Sequence, residues 1–133
     1  MSDAVELRLF VIGWPQGVAK PMQDLFYKRE HGNLIFHVDG RSTRAHARIF
    51  FANATFGRRF LRSFLYETEL MIDFCTFPEF LLCLKVIYGH QVKVSPANYH
   101  RIRLILMALG VDSSVSMSYS GSVCPLPRGF LDC

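Results

Sequence analysis

Histidines and acidic pairs are the side chains of this chain that could do chemistry, and their spacing argues against catalysis. No nucleophile or carboxylate is spaced so as to make a general base of any of the histidines, His31, His37, His46, His90 and His100. Glu67 and Glu69 lie on the same side of an extended segment, but no pocket-forming motif accompanies them. The glycines are isolated turn markers. We expect no enzyme, no metal site, no cofactor and no small-molecule substrate.

The cysteines indicate a reduced environment. Cys75 and Cys83 lie in apolar segments, and Cys124 and Cys133 lie near the C-terminus. They form neither the close pairs of a zinc site nor the density of a disulfide scaffold. We therefore expect free thiols and a protein of the cytoplasm, the nucleus or both.

The charge of the chain raises a nucleic-acid alternative. The net charge is +4, and the arginines that could form a basic face are Arg41, Arg44, Arg48, Arg58, Arg59, Arg62, Arg101 and Arg103. They are spread over several predicted elements and accompany no base-reading motif, so solvated helix surfaces are the preferred interpretation. We rank nucleic-acid binding last.

Length and composition predict one domain with a substantial core. The chain has 133 residues, of which 50% are hydrophobic. No run of about 18 uncharged apolar residues occurs, and acids near the N-terminus do not suit a signal peptide, so we expect neither membrane spanning nor secretion. Alternating apolar residues predict a strand over 5–12, and an apolar stripe ending at Gly32 predicts a helix over 21–31, with Pro21 in its first turn.

A hairpin and a pair of helices follow. Residues 34–38 and 41–44 are rich in strand formers and flank Asp39-Gly40, a two-residue hairpin turn. The apolar residues of 46–54 and 56–64 can share one helical face. Gly57 weakens the second of these helices by about 1 kcal/mol.

The second half of the chain alternates strand and helix signals. Residues 69–73 predict a strand, and Thr76 with Glu79 forms a capping box before a helix over 77–88. Ser95 and Pro96 suit the first positions of a last helix. Its buried stripe is Tyr99, Ile102, Ile105, Leu106 and Leu109.

Two of these runs resemble the BTB/POZ family of interaction domains. Ala45-His46 after the hairpin resembles the family pattern V-x-G-x-x-x-x-A-H-x-x-V-L-A-A, and residues 86–98 resemble F-I-Y-T-G-K-V-K-L-S-P-E-N. The resemblance implies an α+β BTB/POZ fold, a small sheet flanked by helices with an extra N-terminal strand and helix. Residues 1–111 would form this domain, with the strand and helix at 5–31 and the core at 33–111. Residues 112–133 would be a flexible tail or extension, and the alternation at 115–119 could add a strand.

The resemblance also implies a homodimer. In the members that carry zinc fingers, the corresponding N-terminal strand crosses to a second subunit, and the helix at 21–31 lies in the interface. The implied interface residues are Val5, Leu7, Leu9, Met22, Leu25 and Phe26. The alternative is that the strand pairs within its own chain.

A cullin-binding motif is the third implication. Members that bind the third cullin carry a hydrophobic-x-Glu motif, on which Leu65-Tyr66-Glu67 falls, and Tyr88 and His90 are further implied contacts. The apolar side chain would fill a cleft on the cullin while the carboxylate fixes orientation. Because such a tripeptide is common by chance, its position alone supports it.

Some positions depart from the family pattern. Asn33 and Ala47 stand where members have Asp and Lys, and Gly57 replaces an aromatic residue. Losing both partners together leaves no unpaired charge, so dimerisation stays possible. The chain would be an adaptor, or a competitor of adaptors, that binds the cullin, or else a dimerisation scaffold for transcriptional or other partners.

Overall fold

Two three-stranded sheets and four α-helices form the described part of the chain in a computed structural model, which describes residues 4–11, 16–61 and 64–120. In chain order the elements are β1 Ala4–Val11, α1 Gln16–Leu25, β2 Leu34–Val38, β3 Arg41–Ala45, α2 Ala47–Asn53, β4 Thr68–Ile72, α3 Phe77–Ile87, β5 Val92–Val94, α4 Pro96–Ala108 and β6 Ser113–Ser120. No helix in these ranges is long and apolar enough to cross a bilayer.

The predicted hairpin is confirmed as β2 and β3. Asp39 and Gly40 have φ values of 52° and 77°, the left-handed conformations that a two-residue turn of this kind requires. β2 alternates buried and partly exposed residues, so one face of the sheet lies on the core. β4 adds to the other side of β2 in parallel, which gives the strand order β3-β2-β4.

The core joins this sheet to α2 and α3. The ring centroid of Phe36 in β2 lies 4.9 Å from that of Phe50 in α2 and 4.7 Å from that of Phe80 in α3, and all three side chains are fully buried. The predicted capping box is present, because Glu79 N–H donates to Thr76 Oγ1 and Thr76 N–H donates to the Glu79 carboxylate. Ser95 likewise caps α4.

The N-terminal strand lies between β5 and β6 in the second sheet. β1 pairs antiparallel with both strands of its own chain, with Leu7 opposite Val94 and Leu9 opposite Val92. This is the intrachain alternative that the sequence left open. An exchanged strand would make the same hydrogen bonds with a second copy, and the connection at 12–15 lies outside the described residues. Strand exchange therefore stays a prediction.

Two predicted helices need correction. The helix predicted over 21–31 is α1 followed by a 3-10 helix, Phe26–His31, with non-helical angles at Lys28. Pro21 lies inside α1 rather than in its first turn, where it removes one backbone hydrogen bond. The helix predicted over 56–64 is a single 3-10 turn, Arg58–Phe60, because Gly57 has a left-handed φ of 75° that breaks the helical path.

The C-terminal stretch contributes the added strand. β6 pairs with β1 along its whole length, from Ala4 opposite Ser120 to Val11 opposite Ser113. The Ser-rich alternation at 113–120 is therefore an edge strand of the second sheet. Residues 121–133, which carry the rest of the predicted tail, lie outside the described residues.

Candidate functional site

Residues 65–67 form an exposed segment directly before β4. Leu65 and Tyr66 expose 81% and 70% of their surface, which is unusual for side chains of this size. Glu67 accepts a hydrogen bond from Arg44 Nη1 at 2.7 Å, and the same nitrogen donates to the Gly32 carbonyl at 2.9 Å. The carboxylate therefore has a defined position beside two exposed apolar side chains.

Asn33 holds this segment against the sheet and α2. Its Nδ2 donates to the Phe64 carbonyl at 2.6 Å, and its Oδ1 accepts from Ala47 N–H at 3.1 Å. Its own carbonyl accepts from Thr68 N–H at 2.9 Å. An ionised aspartate could not donate to the Phe64 carbonyl. The neutral amide that departs from the family pattern thus donates one hydrogen bond that a charged aspartate could not.

Tyr88 has no exposed surface, so its predicted contact with a partner is corrected to a role in the core. Its hydroxyl accepts from the backbone N–H of His46 at 2.7 Å and lies 2.8 Å from His46 Nδ1. Burial raises the pKa of Tyr88 to about 12. Burial and the nearby charge of Arg29 lower the pKa of His46, which favours the neutral imidazole. Its Nδ1 can then accept a hydrogen bond from the Tyr88 hydroxyl.

His90 is half-buried and packs against the N-terminal helices. Its Nε2 lies 3.0 Å from the Gln23 carbonyl oxygen, and its ring meets those of Phe26 and Tyr27 edge-on at 5.7 Å each. Gln23 Nε2 in turn donates to the Gly89 carbonyl at 2.9 Å. These contacts tie His90 to α1 and to the 3-10 helix after it.

The predicted dimer residues divide by burial. Leu7, Leu9 and Phe26 are buried within their own chain, whereas Met22 and Leu25 are half-buried against the core. Val5 lies opposite Tyr119 in the β1–β6 ladder. Burial within one copy does not decide which residues lie between two copies, so all six stay predicted interface residues.

Most of the basic residues in the described ranges have partners within the chain. Arg101 binds Glu79 through two nitrogens, at 3.0 Å and 3.1 Å, which joins the start of α3 to α4. Other engaged guanidinium groups include those of Arg44 on Glu67, Arg58 on the Phe51 carbonyl, Arg41 over the Phe77 ring and Arg48 over the Phe64 ring. The ion pairs with Glu67 and Glu79 offset part of the positive charge, and nucleic-acid binding stays the last-ranked prediction.

An open groove of about 710 Å³ lies between residues 55–60 and β4, and sequence analysis missed it. Phe56, Gly57 and Phe60 line one side, and Leu70 and Met71 line the other. A Cβ atom at position 57 would come within 2.7 Å of Leu70 Cδ1, so a side chain there would fill part of the groove. The signal that could have indicated the groove was Gly57, because family members have an aromatic residue at this position.

Comparison with known proteins gives a likeness in structure alone. No family model and no curated protein matches the chain. Among solved structures, the BTB domain of zebrafish PATZ1 superposes with a TM-score of 0.55 at 17% sequence identity, over 73% of this chain and 85% of that one. At an identity this low, the structural likeness is evidence for the fold alone. It agrees with the α+β architecture and with the two sequence runs described above. The chain has the fold of a BTB/POZ domain.

Proposed function

We propose that the chain is a protein-protein interaction module of the cytoplasm or nucleus that homodimerises and binds the third cullin. It would act as a ubiquitin-ligase adaptor or as a competitor of such adaptors. The observation that carries the proposal is the exposed Leu65-Tyr66 pair beside a carboxylate that Arg44 positions. The BTB/POZ fold supports the interaction module. The family resemblance implies that this segment corresponds to the hydrophobic-x-Glu motif of cullin-binding members.

The physical basis is burial of apolar surface on a partner. Fully burying a leucine side chain contributes about 1.5–3 kcal/mol, so Leu65 alone could supply about a fifth to a third of the binding free energy of a micromolar complex. Glu67 is already held by Arg44, so less freedom is lost when the carboxylate engages a helix N-terminus or a donor on the cullin.

We expect Leu65→Asp to weaken binding of the third cullin's N-terminal domain by about tenfold or more. In the complex, an unpaired charge would replace an apolar side chain that is buried on the cullin. Glu67→Lys should weaken it as well, because the positive charge would face both Arg44 and the cullin site. Isothermal titration calorimetry with the whole chain measures both effects.

The matched control is Leu104→Asp. Leu104 is an exposed leucine on α4, 61% accessible, and the same substitution there should leave the affinity unchanged. Circular dichroism verifies that each variant is folded. No measurable binding by the unmodified chain, or equal binding by the Leu65→Asp and Leu104→Asp variants, would contradict the cullin proposal.

Dimerisation has a separate test. We expect light scattering of the purified chain at micromolar concentration to give twice the mass of 15.3 kDa. For strand exchange, cysteines replace Arg8 and Lys93, which face each other across the β1–β5 ladder. Oxidation should link two chains if β1 is exchanged and close a loop within one chain if it is not. The single variants Arg8→Cys and Lys93→Cys control for linkage through the native thiols.

The second candidate is a dimerisation or scaffold domain for transcriptional or other partners, without cullin binding. The observation that favours it is the full burial of Tyr88, one of the residues that the family resemblance implied as a cullin contact. A dimeric chain with no affinity for the cullin would select this alternative.

A further inference from the structure

In the part of the chain that the structure describes, β4 is an edge strand, and half of its backbone groups make no hydrogen bond to the sheet. Thr68 N–H donates to the Asn33 carbonyl on the β2 side, and β2 and β4 run parallel in register. In a parallel pair, alternate residues turn their N–H and C=O groups toward the neighbouring strand. Thr68, Leu70 and Ile72 therefore face β2, and Glu69 and Met71 turn their backbone groups away from it, along the outer edge of the sheet.

That outer edge borders the groove described above. Across from it lie Phe56, Gly57 and Phe60, and Phe60 exposes 55% of its surface. The groove thus combines a row of backbone donors and acceptors with an apolar wall. An unpaired strand edge of this kind can pair with an added strand, and neighbouring side chains then select its sequence.

The charges around the groove are mainly positive. Arg58 and Arg59 lie in its lining, with the Arg59 guanidinium 4.9 Å from the centroid of the Phe60 ring. Glu69, the acid among the lining residues, is paired with His37 Nε2 at 2.6 Å. A segment that carries acidic residues beside apolar ones complements this arrangement.

We propose that the groove between residues 55–60 and β4 binds an extended, acidic and apolar segment of a partner protein, which adds to the sheet as a strand beside β4. The apolar side chains of the segment pack on Phe56 and Phe60, and its carboxylates face Arg58 and Arg59. This proposal does not rest on cullin binding, since it uses the β4 edge and not Leu65.

A second copy of the chain is a poorer occupant than a free segment. Pairing of β4 with β4 would bring the partner's own residues 55–60 into the space that the first copy's residues 55–60 already border. A single extended segment needs only the width of one strand, about 4.8 Å from β4. The geometry therefore favours a peptide-like partner over self-association at this edge.

The probe is a synthetic seven-residue peptide of alternating Glu and Val, titrated into the isotopically labelled chain and followed by amide NMR. We expect shifts at Glu69, Met71 and residues 57–60. Replacing every Glu of the peptide with Lys should weaken binding by about tenfold or more, and so should Arg59→Glu in the protein. Arg103→Glu, an exposed position on α4, is the matched control and should leave the affinity unchanged.

Backbone methylation of the peptide tests the added strand itself. Only alternate N–H groups of an added strand face β4, so methylating one alternating set should abolish binding while methylating the other set leaves it intact. The proposal would be overturned if the two methylated peptides bound equally, or if the Lys peptide bound as tightly as the Glu peptide. It would also be overturned by amide shifts confined to other parts of the chain, or by no binding at up to about 1 mM peptide. Leu65→Asp should not change peptide binding, which separates this result from the fate of the cullin proposal.

Discussion

Replacing Phe36 with alanine is expected to lower the free energy of unfolding by about 3–5 kcal/mol. The side chain is fully buried and packs against Phe50 and Phe80, so its loss leaves a cavity where β2, α2 and α3 meet. A domain of this size has a total stability of about 5–15 kcal/mol, so the substitution would remove a substantial fraction of it. Urea denaturation followed by circular dichroism measures the change.

Phe60→Ala is the matched control for that experiment. Phe60 lies on the open groove and exposes 55% of its surface, so the same truncation should change stability by no more than about 0.5 kcal/mol. The comparison would contradict the described core if both variants lost the same stability, or if Phe36→Ala cost less than about 1 kcal/mol.

Elements defined by neighbouring residues could be predicted from the sequence. The hairpin follows from Asp39-Gly40 between two apolar runs, and α3 follows from the capping box of Thr76 and Glu79. In each case the residues that decide the structure lie within a few positions of one another. The resemblance to a known family added the order of these elements, which local signals do not contain.

Elements decided by distant contacts could not be predicted in the same way. The turn at Gly57 lies against Leu70, and this contact with β4 competes with continuation of the helix predicted there. β1 and β6 come from opposite ends of the chain, and the register of Ala4 opposite Ser120 has no local signal. Tertiary contacts of this kind override the helical preference of a short apolar run.

The candidate site shows the same division. The position of Leu65-Tyr66-Glu67 before β4 followed from the family pattern, but its bonds to Arg44 and Asn33 did not. Arg44 precedes Glu67 by 23 positions, and Asn33 precedes Phe64 by 31. Spacings this long carry no periodic signal, so the structure was needed to show that the exposed segment is held in place.

The contact between Tyr88 and His46 joins the two runs on which the family resemblance was based. The residues are 42 positions apart, yet the Tyr88 hydroxyl completes the hydrogen bonding of the residue before α2. A helix start whose N–H groups lack partners loses stability, and the side chain of His46 makes no capping bond of its own. The buried Tyr88 hydroxyl therefore provides the hydrogen-bond acceptor that a nearby capping side chain provides at the start of other helices.

Tyr88→Phe is accordingly expected to lower the free energy of unfolding by about 1–3 kcal/mol, the cost of leaving a buried donor unsatisfied. The substitution keeps the aromatic packing and removes the hydroxyl that accepts from His46 N–H. Chemical denaturation measures the loss, and hydrogen exchange should show faster exchange at the His46 amide. Tyr99→Phe is the matched control, because among the described residues the Tyr99 hydroxyl accepts from the exposed Arg103 at 3.3 Å. Its loss should cost no more than about 0.5 kcal/mol. Equal stability losses in the two variants, with an unchanged His46 amide, would mean that the Tyr88 hydroxyl does not cap α2.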